Sequence, residues 1–239
     1  MDAPRSPKEN KLLASLPAAD YKRLAAGLDL VPMKLGAVVY ENGDIANYAY
    51  FPLDCIVSLL SVMENGDSAE IAMVGREGIV GVSVFMGGAS APSRAVVQSA
   101  GDAYRIPADQ MKVEFRRGGP IQYLLLRYTQ ALITQMAQTA ACNRHHTIEQ
   151  QLCRWLLLSL DRLPTGDLRM TQELIANMLG VRREGVTEAA GRLQADRIIQ
   201  YSRGRIKVMD RLMLEGRACE CYKTVKGELN RLLDGSYTD

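Results

Sequence analysis

Two arginines and a glutamate stand together at Arg182, Arg183 and Glu184, just past Gly180, and Thr187 and Glu188 follow within one helical turn. A guanidinium is a planar donor fork that meets two acceptors at once, whereas a carboxylate only accepts. Side by side, these groups suit the edges of neighbouring bases: guanine offers O6 and N7 to an arginine, and cytosine offers its amino group to a carboxylate. Arg203, Arg205 and Lys207 form a second basic group around an Arg-Gly step. The formal net charge of the 239-residue chain is only +2, so any nucleic-acid surface must be local rather than global.

The stretch "TQELIANMLGVRREGVTEAAGRL" explains why the charges cluster there. Its apolar residues Ile175, Leu179, Val181, Val186 and Ala189, with small Ala176 four places before Gly180, follow the helix-turn-helix pattern. Ala176 must be small where the second helix crosses close above the first. Gly180 must take the left-handed conformation that ends the first helix. Val181 and Val186 are expected to bury the inner face of the second helix, and Thr171 to cap the first. A generic helical hairpin is the plainer alternative, but it does not account for charge at the free N-terminal end of the second helix, the part that enters a major groove. Arg183, Glu184 and Glu188 are the expected base readers. Thr171, Arg182, Thr187, Arg203, Arg205 and Lys207 are the expected backbone contacts, the last three on a wing of two short strands, against the plainer reading of a solvated hairpin.

The elements that must position this surface fall into three textures. Residues 1–119 read as strands: "AVVY", "YAYFP", "CIVSLLSV", "SAEIAMV" and "RAVVQSAGDAYRIP". Two "ENGD" turns, at Glu41 and Glu64, carry the Asn-Gly hairpin signal. A short helix with Pro17 in its first turn precedes them, and the whole predicts an antiparallel roll or sandwich. One long helix follows, over residues 120–144. Ile121, Leu125, Tyr128, Leu132, Met136 and Ala140 recur on it at three- and four-residue steps, a seam for a second copy or for the chain's own core. Residues 120–146 thus form a dimerisation helix and hinge. Thr147 with Gln150 predicts a capping box. It opens a helix with an apolar face of Leu152, Trp155, Leu156 and Leu160, ended by "PTGD". Residues 147–222 then form the winged helix-turn-helix. A final helix is expected from near Asp210 to about Leu233, so that residues 223–239 are a helical extension. The fold class is α+β.

The remaining chemistry is sparse. Cys55, Cys142, Cys153, Cys219 and Cys221 fit no zinc or redox spacing, and no metal is expected. Cys219 and Cys221 read as incidental thiols on a half-exposed helix rather than a sensor. His145 and His146 lie beside Cys142 at the hinge, where a metal or redox switch is imaginable and a polar hinge is the plainer reading. The N-terminus has no signal-peptide core and no apolar run approaches membrane-spanning length, so a cytoplasmic protein is expected. With no P-loop, no nucleophile elbow and no nucleophile for the paired histidines, an enzyme is not expected.

In its order of β-roll, long helix and winged helix-turn-helix, and above all in "LGVRREGVTEAAGRLQ", the chain resembles the bacterial Crp/Fnr transcription regulators. That resemblance implies a cyclic-nucleotide-binding-like sensor domain, a homodimer, double-stranded DNA and RNA polymerase as partners, and base reading by an Arg-Glu pair with another arginine four residues later. Arg183 and Glu184 match the pair, but Glu188 stands at the arginine position. The corresponding effector pocket comprises Gly81, Val82, Ser83, Arg94 and Ala95. Val82 replaces the ribose-binding glutamate and Ala95 a phosphate-binding serine, so cyclic AMP is not the expected effector. Arg94 remains either an anion anchor for an unidentified small molecule or a plain surface arginine. The N-terminal cysteine cluster of iron–sulfur members is absent, and no cofactor is expected. The competing reading is a small-molecule sensor or adaptor that acts through a protein partner.

Overall fold

A computed structural model describes residues 5–88, 90–163 and 167–233 of the chain. A 3-10 turn, Pro7–Glu9, leads into α1 (Lys11–Ala14) and α2 (Ala18–Ala25). Pro17 is the N-cap of α2 rather than part of its first turn. Strands β1 (Asp29–Met33), β2 (Val38–Tyr40), β3 (Tyr48–Pro52), β4 (Ile56–Val62) and β5 (Ser68–Val74) follow. A short helix, α3 (Ser83–Met86), then precedes β6 (Arg94–Ser99) and β7 (Gly101–Pro107). These strands make two antiparallel sheets, ordered β1-β7-β3 and β2-β6-β4-β5, as the strand patterning predicts.

The two "ENGD" turns behave differently. The second closes the β4–β5 hairpin: the Met63 N–H donates to the Asp67 carbonyl (2.8 Å) and Val62 pairs with Ser68. The first closes no hairpin. β2 pairs with β6 and β3 pairs with β7, so the chain changes sheets at that turn. β4 also departs from simple alternation because both its faces are covered. Val57 and Leu59 point into the roll, while Ile56 and Leu60 belong to a second core shared with the C-terminal part.

After α4 (Ala108–Arg116) comes α5 (Pro120–His145), with proline at its first turn. The stripe expected as the dimer seam faces inward instead. Ile121, Leu125, Tyr128 and Leu132 are all buried in the roll's own core, and Met136 packs against it. Tyr128 lies over Gly78, with the Ile79 N–H at its phenol oxygen. Gln135 reaches the Met73 carbonyl (3.1 Å), so the polar break in the stripe serves this same docking. Ala140 alone of the stripe is exposed. A different face of α5 stays open: Tyr123, Leu126, Ile133, Ala137 and Ala140, at steps of three, seven, four and three residues.

The C-terminal part comprises α6 (Ile148–Arg162), β8 (Asp167–Arg169), α7 (Gln172–Leu179), α8 (Arg183–Ala195), β9 (Ile199–Ser202) and β10 (Arg205–Val208). It ends with α9 (Arg211–Arg217) and α10 (Glu220–Leu233). The Thr147–Gln150 capping box forms as expected. α6 ends at Arg162, and Pro164, Thr165 and Gly166 of the expected stop signal lie outside the described residues. α6 is buried on nearly every side from Gln151 to Ser159, because it is wedged between the β-roll and the helix-turn-helix. The single helix expected from Asp210 is two helices, broken between Arg217 and Glu220, and the expected boundary at residue 222 falls inside α10. α10 folds back on α5: Arg127 donates to the Arg231 carbonyl (2.9 Å), and Gln130 to Glu228 (3.3 Å).

Candidate nucleic-acid interface

The helix-turn-helix is built as its sequence requires. Thr171 caps α7 by accepting from the Leu174 N–H (3.2 Å). Gly180 ends α7 at φ 65°, ψ 35°, a left-handed conformation that side chains with a Cβ rarely adopt, and its turn is closed by the Val181 N–H on the Ala176 carbonyl (3.0 Å). Ala176, Ile175, Leu179 and Val186 are buried together, whereas Val181, expected to be buried beside them, is only half covered.

This packing leaves the first turns of α8 open. Arg182 is the N-cap residue, and Arg183, Glu184, Thr187 and Glu188 are exposed on the same end of the helix. Backbone N–H groups without helical partners also point from that end, which favours phosphate nearby. Arg183 is nearly two-thirds exposed and approaches Glu173 at 3.9 Å, a contact weak enough to exchange for a base edge. Thr187 is tied by its hydroxyl to Gln172 and to the Arg183 carbonyl. Glu188 is engaged within its own helix: it accepts from Arg192 (2.6 Å), which also pairs with Glu149 of α6 (2.7 Å). Arg192 and Arg217 together hold the Glu149 carboxyl below its usual range.

The wing stands beside this helix. β9 and β10 pair from Ile199↔Val208 to Ser202↔Arg205, and β8 joins the far edge of β10. Arg203 and Gly204 turn the hairpin with φ of 48° and 74°, the pattern of a tight turn with two left-handed residues. Arg203, Arg205 and Lys207 are all exposed. Between wing and helix runs a groove of about 470 Å³ lined by Thr171, Glu173, Arg183, Tyr201, Arg203 and Gly204. Base-reading and backbone candidates from three elements thus share one face.

The candidate effector region is less open. Val82 is half-buried, Gly81, Ser83 and Ala95 are buried, and Arg94 is partly exposed. Arg94 pairs with Glu41 at 3.1 Å, both side chains partly exposed. Tyr40 fills the ground between the two halves of the region. Its backbone pairs with Ala95, and its buried phenol takes the Gly81 N–H, burial pushing its pKa well up.

Cys219 and Cys221, expected on a half-exposed helix, are both buried, just ahead of and within the first turn of α10. Their sulfurs meet Cys142 and His146 from the end of α5, a convergence of residues 77 apart that no local spacing signals. His145 is exposed and is not part of this cluster. Among the described residues, no helix is long and apolar enough to cross a membrane.

Comparison with known proteins agrees with this geometry. A cyclic nucleotide-binding domain family model matches residues 30–117, and a Crp-like helix-turn-helix domain model matches residues 150–217. The chain is 23% identical to the global nitrogen regulator of Synechococcus elongatus over 219 residues, 86% of this chain and 96% of that one. The structure of FixK2 from Bradyrhizobium japonicum superposes with a TM-score of 0.70 at 16% identity, covering 80% of this chain and 98% of that one. A putative Crp/Fnr-family transcriptional regulator from Eubacterium rectale gives 0.66 at 19% identity, covering 87% and 98%.

Proposed function

The chain belongs to the Crp/Fnr family of DNA-binding transcription regulators, and on that premise we propose that it acts as a cytoplasmic homodimer on an inverted-repeat operator, without cyclic AMP as its effector. The observation that carries the reading is the open groove shared by Arg183 and the Arg203–Gly204 wing tip, with exposed Glu184 next to Arg183 in the same helix turn. A two-fold dimer would set two copies of α8 about 34 Å apart, with half-site centres about 10 base pairs apart. Arg183 is the sharpest base reader and Glu184 its neighbour. Thr171, Arg182, Thr187, Arg203, Arg205 and Lys207 supply backbone contacts. Glu188 has a double part: it orients Arg192, and as a pure acceptor it favours a cytosine amino group over phosphate. RNA polymerase is the protein partner that such a regulator needs.

Against cyclic AMP stand Val82 and Ala95, which lack the polar atoms for ribose and phosphate, the Glu41 partner of Arg94, and Tyr40 on the Gly81 N–H. A different small molecule, or none, is the consistent reading of the β-roll.

The test is selection from randomised duplexes, followed by affinity measurement across salt. Arg183→Ala should cost roughly 1–3 kcal/mol and relax one position per half-site. Arg205→Ala should weaken all sequences alike and lower the salt slope by about one unit. Glu188→Arg should shift the preferred half-site. Identical motifs from all the proteins would mean that α8 does not read bases.

A further inference from the structure

We propose that Cys142, His146, Cys219 and Cys221 bind a single zinc ion that fastens the C-terminal helix to the end of the central helix. Cys142 and His146 stand one helical turn apart at the end of α5, so their side chains leave the same face. Cys219 and Cys221 flank the start of α10, directly opposite. The Cys142 and Cys219 sulfurs lie 3.5 Å apart, the Cys221 sulfur lies 3.7 Å from His146 Nδ1, and all four ligand atoms fall within 4.8 Å of one another. Zinc bonds of about 2.3 Å to sulfur and 2.0–2.1 Å to nitrogen place the corners of a tetrahedron roughly 3.4–3.8 Å apart. The cluster is therefore of single-ion size. A disulfide would use two of the sulfurs and leave the third beside an imidazole without purpose.

Two surrounding features point the same way. His146 offers Nδ1 to the cluster, while its Nε2 lies 3.3 Å from the Glu220 carboxylate. A carboxylate on the remote nitrogen fixes the tautomer and orients the ring of a metal-bound histidine. Buried Arg154 lies close enough to act on the Cys142 thiol; one of its nitrogens donates to Thr139 (3.1 Å), but its Nε has no hydrogen-bond partner. Three thiolates around one divalent ion leave a net charge of −1, and a buried guanidinium offsets it.

The donor set decides the class. Three buried cysteines and a half-buried histidine fill four positions with protein atoms and leave none open, the arrangement of a structural rather than a catalytic zinc site. The ligands also bracket the helix-turn-helix and its wing in sequence, two before α6 and two after α9. The ion would close that whole unit at its base, where it joins α5.

The test uses the full chain, purified under reducing conditions without chelator. Elemental analysis should find about one zinc per chain. Replacement by Co2+ should give the intense visible bands of tetrahedral thiolate coordination. The double variant Cys219→Ser/Cys221→Ser should lose both signals, and Cys55→Ser, a buried cysteine of the β-roll outside the cluster, should keep them. Stripping the metal should lower the melting temperature of the wild type, and returning zinc should restore it. Wild type without stoichiometric zinc and with a featureless Co2+ spectrum would overturn the proposal, whatever the variants do. So would a double variant that retains its metal, or a Cys142–Cys219 disulfide found in the anaerobically purified protein.

Discussion

Glu70 shows how one buried side chain makes stability depend on pH. It sits on β5, fully enclosed between the β-roll and α6, with the Trp155 indole N–H on one oxygen (3.0 Å) and the Ser58 hydroxyl on the other. Ser58 also lies 2.6 Å from Gln98 Oε1, so a single hydroxyl proton faces two acceptors. Protonated Glu70 removes the conflict by donating to Ser58, which then donates to Gln98. Burial pushes the carboxyl up to about 7, against the opposing pull of Ser58, Arg154, Arg162 and Trp155. Between the ordinary value of 4.5 and about 7, the folded state keeps a proton that the unfolded state has lost. Stability must therefore fall as pH rises through that window and level off above it, by up to about 3 kcal/mol. Glu70→Gln keeps the shape and carries no charge, so its melting temperature should lack this component of the decline between pH 4.5 and 7. Parallel profiles for the two proteins would show that Glu70 is ionised throughout. Sequence pattern alone anticipated that Arg183 and Glu184 stand exposed at the start of α8, because that exposure follows from helix geometry. It could not identify Glu70, whose burial depends on a helix 85 residues away.

At the scale of elements, α5 shows where periodicity stops being informative. The helix carries two apolar stripes: one repeats every three or four residues, and the other skips a turn at polar Gln130. The stripe of Ile121, Leu125, Tyr128 and Leu132 has the bulkier side chains and reads as the stronger seam, yet it docks on the chain's own roll. The sequence states that a seam exists and not what lies against it. The exposed stripe of Tyr123, Leu126, Ile133 and Ala137 is the one left for a second copy. Ile133 is 58% exposed near its middle. Ile133→Glu should therefore convert the proposed dimer to monomers and weaken binding to the proposed operator with the fold intact. Leu132→Glu, one residue along, should cost the fold itself by burying an unpaired charge. Light scattering and circular dichroism on the two variants separate these outcomes, and a folded, dimeric Ile133→Glu protein would place the interface elsewhere. Strand positions were more legible than the seam, since β2 to β7 coincide closely with the apolar runs. β1 was not legible, because Asp29–Met33 includes a proline and is mostly exposed. The break between α9 and α10 hides in a run that is helical in composition on both sides.

At the scale of the whole molecule, the order of roll, long helix and winged helix-turn-helix could be read from the chain, but the way the two ends join could not. They are not beads on a string. Ile56, Leu60 and Met73 from the roll pack in the same core as Leu152, Trp155 and Leu156 from α6, and Arg162 of α6 reaches Glu77 at 2.7 Å with both side chains buried. Arg162 also donates to Gln135 of α5 (2.7 Å), so β-roll, central helix and helix-turn-helix unit meet at one polar knot. A shared core couples the stabilities of the parts it joins. Trp155 is the only tryptophan and lies at this junction, 1% exposed, so its fluorescence reports whether the two ends are docked. Denaturant unfolding followed by Trp155 fluorescence and by far-ultraviolet circular dichroism should give one coincident transition, the mark of a single cooperative unit. Leu60→Ala, on the roll's side of the junction, should cost about 2–5 kcal/mol and move both curves together. A fluorescence change that precedes the loss of secondary structure would mean that the ends part before either unfolds. The DNA-binding face could then move independently of the roll, and no signal from the roll could pass through this contact.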